Sequence, residues 1–306
     1  MTAVKLPFGR PSLLPYRTYI QRSVVTPGGL TTRFLGTSSV VFSDGDTTLL
    51  GDGFVTRPGL ARVLLGRIGP DRSRVRAAIE RSAAQSLDAV FCAHSHYDHA
   101  LDAPVWCLET GADLVGSEST ANIGRGLGVP ESTLKVIGHG DVLRYGRFEL
   151  TFLESVHSHG DRFPGTVDRP LVPPAKAGEW KTGTAYSVLI NHPAGTILWH
   201  ASANYVPGML AGRKADVIYL GIGGIGRQPP EFARDYWAET VAATGARRII
   251  LVHWDDFFTS LDRPLRMSPN FFDDLDTAMD RLLPLARRNG IDVMLPAAWV
   301  PADPFA

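Results

Sequence analysis

The sequence predicts one large domain of the α/β type. Apolar, β-compatible runs alternate with segments of helical periodicity along most of the 306 residues. No linker-like stretch separates one group of elements from another, and the length allows a sizeable hydrophobic core. Side chains able to bind a metal follow directly after several of the apolar runs, so a site at the carboxyl ends of the strands is expected.

The amino-acid composition indicates which kinds of binding partner and which cellular compartment to expect. Lys plus Arg and Asp plus Glu both number 31, and neither charge forms a long block. We therefore expect a small-molecule substrate and no nucleic-acid partner. Cys92 and Cys107 are the only cysteines, which argues against a disulfide framework. No signal-like apolar segment or membrane-length span occurs, so we predict a cytoplasmic protein with no membrane partner, and the oligomeric state stays open.

The first part of the chain divides into an arm and the start of the sheet. Residues 1–31 are rich in Pro, Gly and Arg without a sustained period, and are predicted to form an extended arm. Strands are predicted at 32–42 and 47–50, joined by a hairpin at Asp44-Gly45. A helix is expected from Ser73, which can cap it. It leads into an apolar strand at 88–93.

The second part continues the alternation. Strands are predicted at 135–137, 147–156, 185–191, 196–199, 216–220, 248–252 and 291–295, and helices at 231–244 and 273–289, the last interrupted or kinked at Pro284. Residues 159–183 show no period and are predicted to be a lid or pocket wall, with Phe163 and Trp180 as apolar contacts, or a loop without a role. Residues 221–226 match G-x-G-x-x-G, but Pro229-Pro230 precede any helix, so these glycines more plausibly let the backbone pass close to the site.

The most informative stretch is the run from Cys92 to His99. It places His94, His96, Asp98 and His99 within six residues, immediately after the apolar strand. Imidazole and carboxylate together suit zinc, with manganese or iron as alternatives, whereas magnesium and calcium prefer oxygen alone. We therefore predict one or two zinc ions here.

This His-x-His-x-Asp-His pattern resembles the metallo-β-lactamase superfamily. Further landmarks agree in order: Asp52 ends an early strand, His157 ends the strand at 148–156, and His253 follows the apolar run at 249–252. The resemblance implies an αββα sandwich of two mixed β-sheets flanked by helices, as a hydrolase domain over residues 32–306. It implies a first metal held by His94, His96 and His157. The second metal would be held by Asp98, His99 and His253.

Five further residues are expected near the metals as substrate contacts or supporting groups. Ser202 occupies the position where many relatives carry a bridging aspartate, which leaves the number of metal ions open. His159 competes with His157 as a ligand, and His200 is either a site residue or a structural histidine. Asp256 would fix a ligand tautomer or help the chain turn after His253, and Asp52 would hydrogen-bond around the site.

The function implied is hydrolysis by metal-bound hydroxide, with Asp98 orienting the water and carrying a proton. The segments 200–204 and 253–257 are most similar to relatives of the L-ascorbate-6-phosphate lactonase branch, which favours a small ester or lactone. A phosphodiesterase or β-lactamase of the same fold is the first alternative. An iron-containing oxidoreductase or a non-catalytic metal-binding protein is the second.

Overall fold

The computed structural model describes residues 9–306, in which two seven-stranded mixed sheets pack face to face with helices outside them. This confirms the predicted αββα class. The strands are β1 Thr31–Gly36, β2 Ser39–Ser43, β3 Thr48–Gly51, β4 Ala89–Phe91, β5 Asp113–Gly116, β6 Leu134–Val136, β7 Val142–Tyr145, β8 Phe148–Ser155, β9 Ala185–His192, β10 Gly195–His200, β11 Val217–Gly221, β12 Arg248–Val252, β13 Asp292–Met294 and β14 Pro301–Ala302. The α-helices are α1 Leu60–Leu65, α2 Arg72–Ser82, α3 Tyr97–Ala100, α4 Ala103–Thr110, α5 Glu118–Leu127, α6 Pro230–Trp237 and α7 Leu275–Asn289.

The two sheets have matching topologies. The first has the order β14-β1-β2-β3-β4-β5-β6, and the second β13-β12-β11-β10-β9-β8-β7. In each sheet three successive pairings are antiparallel and three are parallel. In the parallel part, strands end at the same edge of their sheet, so the loops after β4, β10, β11 and β12 can contribute to one site.

The strands are apolar at consecutive positions because each sheet is covered on both faces. In β2, Val40 and Phe42 join the core that includes residues of both sheets, while Val41 joins the core shared with the outer helices of the first sheet. Side chains alternate between faces along a strand, so such a run must be apolar throughout. Edge-on aromatic contacts join the sheets, with the rings of Phe91 and Trp199 5.0 Å apart.

Several boundaries of strands and helices differ from those predicted from the local sequence. The predicted strand at 32–42 is two strands, because the chain turns at Thr37, whose φ is +54°. Helix α2 is capped by Asp71, which accepts from the Ser73 and Arg74 N–H groups, and not by Ser73. Helix α7 continues through Pro284 because its apolar face is buried on the second sheet, so the predicted interruption is absent.

The segment before β1 packs against the body over the part that the structure describes. Tyr16 is buried and its hydroxyl donates to Asp276 at 2.9 Å. The Gln21 N–H donates to the Leu295 carbonyl at 2.9 Å. The division of the chain at residue 31 stays a prediction. Among the helices of residues 9–306, none combines the length and apolarity that crossing a membrane requires.

Candidate metal centre

The motif residues surround the turn that follows β4. The Ala93 N–H donates to Asp52 Oδ1 at 2.9 Å, and the Ser95 N–H donates to the Thr182 carbonyl at 2.8 Å. The chain then enters the short helix α3, which begins directly after His96. Because α3 follows at once, the carboxylate and imidazole of its first turn are presented beside the two histidines of the preceding turn.

The first triad consists of His94, His96 and His157. Nε2 of His94 lies 3.1 Å from Nδ1 of His96, and the ring of His157 lies 4.8 and 4.6 Å from the rings of His94 and His96. Candidate ligand atoms of the three residues all fall within 4.8 Å of one another. Burial, reinforced by the neighbouring imidazoles, lowers the pKa of His94 well below its usual value and that of His157 to about 4. The rings are therefore neutral near pH 7, as metal ligands must be.

Outer hydrogen bonds indicate which nitrogen faces the centre for two of the three rings, those of His157 and His96. His157 Nδ1 lies 2.8 Å from the Ser158 carbonyl, which can only accept, so the proton sits on Nδ1. His96 Nε2 lies 3.0 Å from Thr182 Oγ1 and 3.2 Å from Asp161 Oδ1, which places its proton on Nε2. The inward nitrogens, Nε2 of His157 and Nδ1 of His96, are then both acceptors. Two converging acceptors in a buried pocket fit a metal cation.

The second triad consists of Asp98, His99 and His253. Asp98 Oδ2 lies 3.3 Å from His253 Nε2 and 3.5 Å from His99 Nε2. The His94 and His99 rings are only 3.9 Å apart, so the two triads are adjacent. Burial alone would raise the pKa of Asp98, but the imidazoles of His99 and His253 outweigh burial and lower it. The donor set is one ionised carboxylate and two imidazoles, a combination that binds zinc or iron.

Asp52 supports both the motif turn and the second triad. Its Oδ2 lies 2.7 Å from His99 Nδ1 and accepts from Ser38 Oγ at 2.5 Å, and its Oδ1 accepts from the Ala93 N–H. A carboxylate on Nδ1 leaves the Nε2 lone pair of His99 free to bind a metal. The side chain is fully buried, as the predicted role around the site requires.

His253 is held in an uncommon backbone conformation, with φ of +61°. Its N–H donates to the Thr37 carbonyl at 2.5 Å. The loop after β11 passes so close that a Cβ on Gly223 would lie 3.0 Å from His253 Nδ1. The glycine-rich segment therefore allows the close backbone approach that its sequence suggests.

A buried ion pair fixes the turn after His253. Asp255 Oδ1 accepts from the Thr37 N–H at 2.7 Å, and Oδ2 lies 2.7 Å from Arg57 Nη2 with both side chains fully buried. The predicted contact of Asp256 with a ligand histidine is not formed. Its carboxylate instead accepts from Phe258 N–H and Thr259 Oγ1, closing the turn, and pairs with Arg10 at 2.5 Å.

The loop after β10 holds His157 in place. His200 is buried, with Nδ1 2.6 Å from Ser187 Oγ and Nε2 2.8 Å from the Asn204 carbonyl. Asn204 Nδ2 donates to the His157 carbonyl at 2.8 Å. His200 thus holds Asn204, which in turn contacts His157. Its own side chain does not line the cavity, whereas that of Ser202 does.

The segment 159–183 contributes side chains to the cavity wall and two polar side chains that contact His96. Phe163 lines the cavity, with its ring 6.1 Å from that of His96, but Trp180 is fully buried in the core and is not a wall residue. His159 lies outside both triads, exposed, with its ring 4.9 Å from that of Phe232. Asp161 and Thr182 were not identified from sequence, because the long loop gives no local sign of its contact with His96.

Both triads line a cavity of about 790 Å³. This is the size of a pocket for a small molecule. Its wall combines aromatic and aliphatic side chains with a few basic ones.

Comparison with known proteins gives a family and a fold. A family model described as "Beta-lactamase superfamily domain" matches residues 58–254. None of the curated protein sequences matches the chain.

Several solved structures share the fold. The metallo-beta-lactamase fold protein YhfI from Bacillus subtilis is 18% identical, with a TM-score of 0.52 over 89% of this chain and 97% of its own. The isothiocyanate hydrolase from Delia radicum gut bacteria is 13% identical, with a TM-score of 0.53 over 89% and 98%. CmlA, a diiron beta-hydroxylase from Streptomyces venezuelae, is 16% identical, with a TM-score of 0.55, and the match covers 91% of this chain but 54% of CmlA.

Proposed function

Because the chain belongs to the beta-lactamase superfamily, we propose that it is a metal-dependent hydrolase that cleaves a small ester or lactone. The observation that carries this proposal is the pair of adjacent ligand triads at one cavity, with Asp98 as the only carboxylate among the six residues. The family and the triads support the hydrolase; the ester or lactone is our extension. We also propose residues 32–306 as the hydrolase domain; of the predicted arm at residues 1–31, residues 1–8 lie outside the part of the chain that the structure describes.

His94, His96 and His157 would hold one zinc ion, and Asp98, His99 and His253 a second. When bound, zinc lowers the pKa of a coordinated water to about 7 and polarises the oxygen of the scissile carbonyl. The histidine-rich donor set favours zinc over magnesium or calcium, which take oxygen ligands. Manganese or iron remain chemically compatible with the same residues.

Asp98 is the group placed to move a proton. It faces both His99 and His253 from the first turn of α3. An ionised carboxylate can orient the attacking water and accept its proton, and can then return a proton to the leaving alkoxide. Ester or lactone and water would give a carboxylic acid and an alcohol, so no further reactant is needed.

The cavity supports a small substrate over a polymeric one. Its volume suits a small molecule. We propose an ester or lactone bond on the resemblance of residues 200–204 and 253–257 to the L-ascorbate-6-phosphate lactonase branch. A phosphodiester or a β-lactam is the alternative within the same hydrolase chemistry.

The test is hydrolysis of a panel holding a lactone, an aryl ester, a phosphodiester and a cephalosporin. His96→Ala removes an inward ligand nitrogen and should abolish turnover. His139→Ala is the matched control, since His139 is exposed and does not line the cavity. Loss of turnover in the first variant alone supports the hydrolase, and the bond cleaved identifies its class.

Two results would contradict the proposal. Full activity and normal metal content in His96→Ala would refute the assignment of this ligand. Iron in the purified protein, together with oxygen-dependent turnover, would favour an oxidoreductase in place of a hydrolase.

A further inference from the structure

We infer that the cavity selects acidic, amphipathic substrates, whose anionic group binds basic side chains at the wall while an apolar body lies on a cluster of phenylalanines. This inference rests on the proposed function and narrows its substrate class. The shared chemistry of the anionic group is that of a carboxylate or a phosphate.

Three basic side chains from separate parts of the chain line the cavity: Arg162, Lys176 and Arg227. All three are exposed, and within residues 9–306 none forms an ion pair with a carboxylate. Arg227 Nη2 donates to the Asn270 carbonyl at 2.7 Å, which orients its guanidinium, and the guanidinium also interacts electrostatically with Asp273. Arg162 and Lys176 are available to an anionic ligand, and Arg227 would be shared between that ligand and Asp273.

The carboxylates of the same wall are already engaged. Asp98 faces His99 and His253. Asp273 accepts from the Gly224 N–H at 2.9 Å and from the Asp274 N–H at 2.7 Å. The cavity wall therefore carries three basic and two acidic side chains, a small excess of positive charge. Metal ions in the triads would add to it. Guanidinium groups bind carboxylate and phosphate through paired hydrogen bonds, which makes an anionic substrate the complementary one.

Apolar surface lies directly beside these cations. The rings of Phe257, Phe258 and Phe272 pack against one another at 4.7 to 5.2 Å. The Arg162 guanidinium carbon lies 5.8 Å from the centre of the Phe272 ring, so the charge sits over the aromatic cluster.

Helix α1 adds aliphatic surface to the same cavity. Its Leu64 and Leu65 line the cavity and are 61% and 90% exposed. These two side chains add aliphatic surface that the apolar body of a ligand would cover. A ligand with one anionic end and an alkyl or aryl body would contact both kinds of wall.

The test compares 4-nitrophenyl esters of one chain length that end in a methyl, a carboxylate or a phosphate group. We expect kcat/KM to be about tenfold higher for at least one anionic ester than for the methyl ester. Comparison of the carboxylate and phosphate esters identifies which anion is preferred. The preference should shrink as salt is added, because the basic groups are exposed.

The double variant Arg162→Gln/Arg227→Gln should lower the anionic-to-neutral ratio of kcat/KM several-fold towards one, with Lys176 as the remaining cation. Arg288→Gln is the matched control, because Arg288 is exposed and lies outside the cavity wall. A wild-type ratio near one, or a ratio that survives in the double variant, overturns the inference while the hydrolase proposal stands.

A binding measurement separates this inference from the proposed function. If the wild-type protein cleaves none of the esters, calorimetric titration with octyl phosphate and octanol replaces turnover. Octyl phosphate should bind about tenfold more tightly than octanol, and the double variant should reduce that difference several-fold. Equal binding of the two probes overturns the inference.

Discussion

Replacing Asp52 with Asn should weaken the second metal site while leaving the first. The carboxylate accepts three hydrogen bonds, from Ser38 Oγ, the Ala93 N–H and His99 Nδ1, in a fully buried position. An amide has one acceptor oxygen and one donor nitrogen. If the oxygen keeps the Ala93 N–H, the NH₂ group faces His99 and forces the proton onto Nε2, which then cannot bind a metal. If the amide is reversed, two buried donors face each other at Ala93.

The magnitude follows from these two orientations. Loss of an outer partner of a ligating histidine typically costs about 10- to 100-fold in metal affinity, or about 1.4 to 2.7 kcal/mol. Loss of a charge-assisted hydrogen bond at a buried position should also lower the free energy of unfolding by about 1.5–3 kcal/mol. His94, His96 and His157 make no contact with Asp52, so the affinity of the first site should change little.

The assay is a zinc titration against a competing chelator, which resolves two sites, combined with urea unfolding of the metal-free protein. Asp235→Asn is the control, since Asp235 is exposed on α6 and outside the cavity wall. Wild-type affinity at both sites in Asp52→Asn would refute the role of Asp52 in setting the His99 tautomer. Equal weakening of both sites would show that Asp52 shapes the whole centre.

Two further substitutions test the loops around the second triad. Asp255→Ala should lower the free energy of unfolding, measured in urea, by about 3–5 kcal/mol, because it leaves the buried Arg57 guanidinium uncompensated. The control Asp235→Ala should change that free energy by less than about 0.5 kcal/mol. A small effect of Asp255→Ala would contradict the importance of the ion pair. Ser202→Asp should raise the zinc affinity of the second site about tenfold or more, because a carboxylate would face the cavity from the loop after β10. An unchanged zinc titration would show that the side chain at this position does not reach the metals.

The sequence predicted which strand-end residues come together at the candidate centre, but not the groups that orient them. His157 and His253 each follow an apolar run, and a polar residue at the end of a buried strand is visible locally. Asp161, Thr182 and Arg57 contact partners that are 65, 86 and 198 positions away in the sequence, respectively. The helical or strand periodicity of a local segment carries no information about contacts this distant in the sequence. For the same reason the sequence leaves two roles open for Asp256, and the fold shows that it closes the turn after His253 and pairs with Arg10.

Strand boundaries failed where tertiary contacts override local preference. Thr37 lies in an apolar, β-rich run, yet it takes a positive φ because its N–H donates to Asp255 and its carbonyl accepts from His253. A β-branched residue disfavours this conformation in isolation. Only the distant carboxylate and the loop after β12 explain it, so a single long strand was the reasonable local prediction.

Unusual backbone is concentrated where the ligands are held. Thr37, Asp52, Arg57 and His253 are non-glycine residues with positive φ, and each takes part in the contacts around the second triad. Such conformations cost about 1–3 kcal/mol each and persist only when surrounding contacts over-determine them. Here the contacts are buried carboxylates: Asp52 on His99 and Asp255 on Thr37 and Arg57. The positions of the candidate ligands are thus set by contacts with these carboxylates, so we expect removal of one carboxylate to alter metal affinity without removing any ligand.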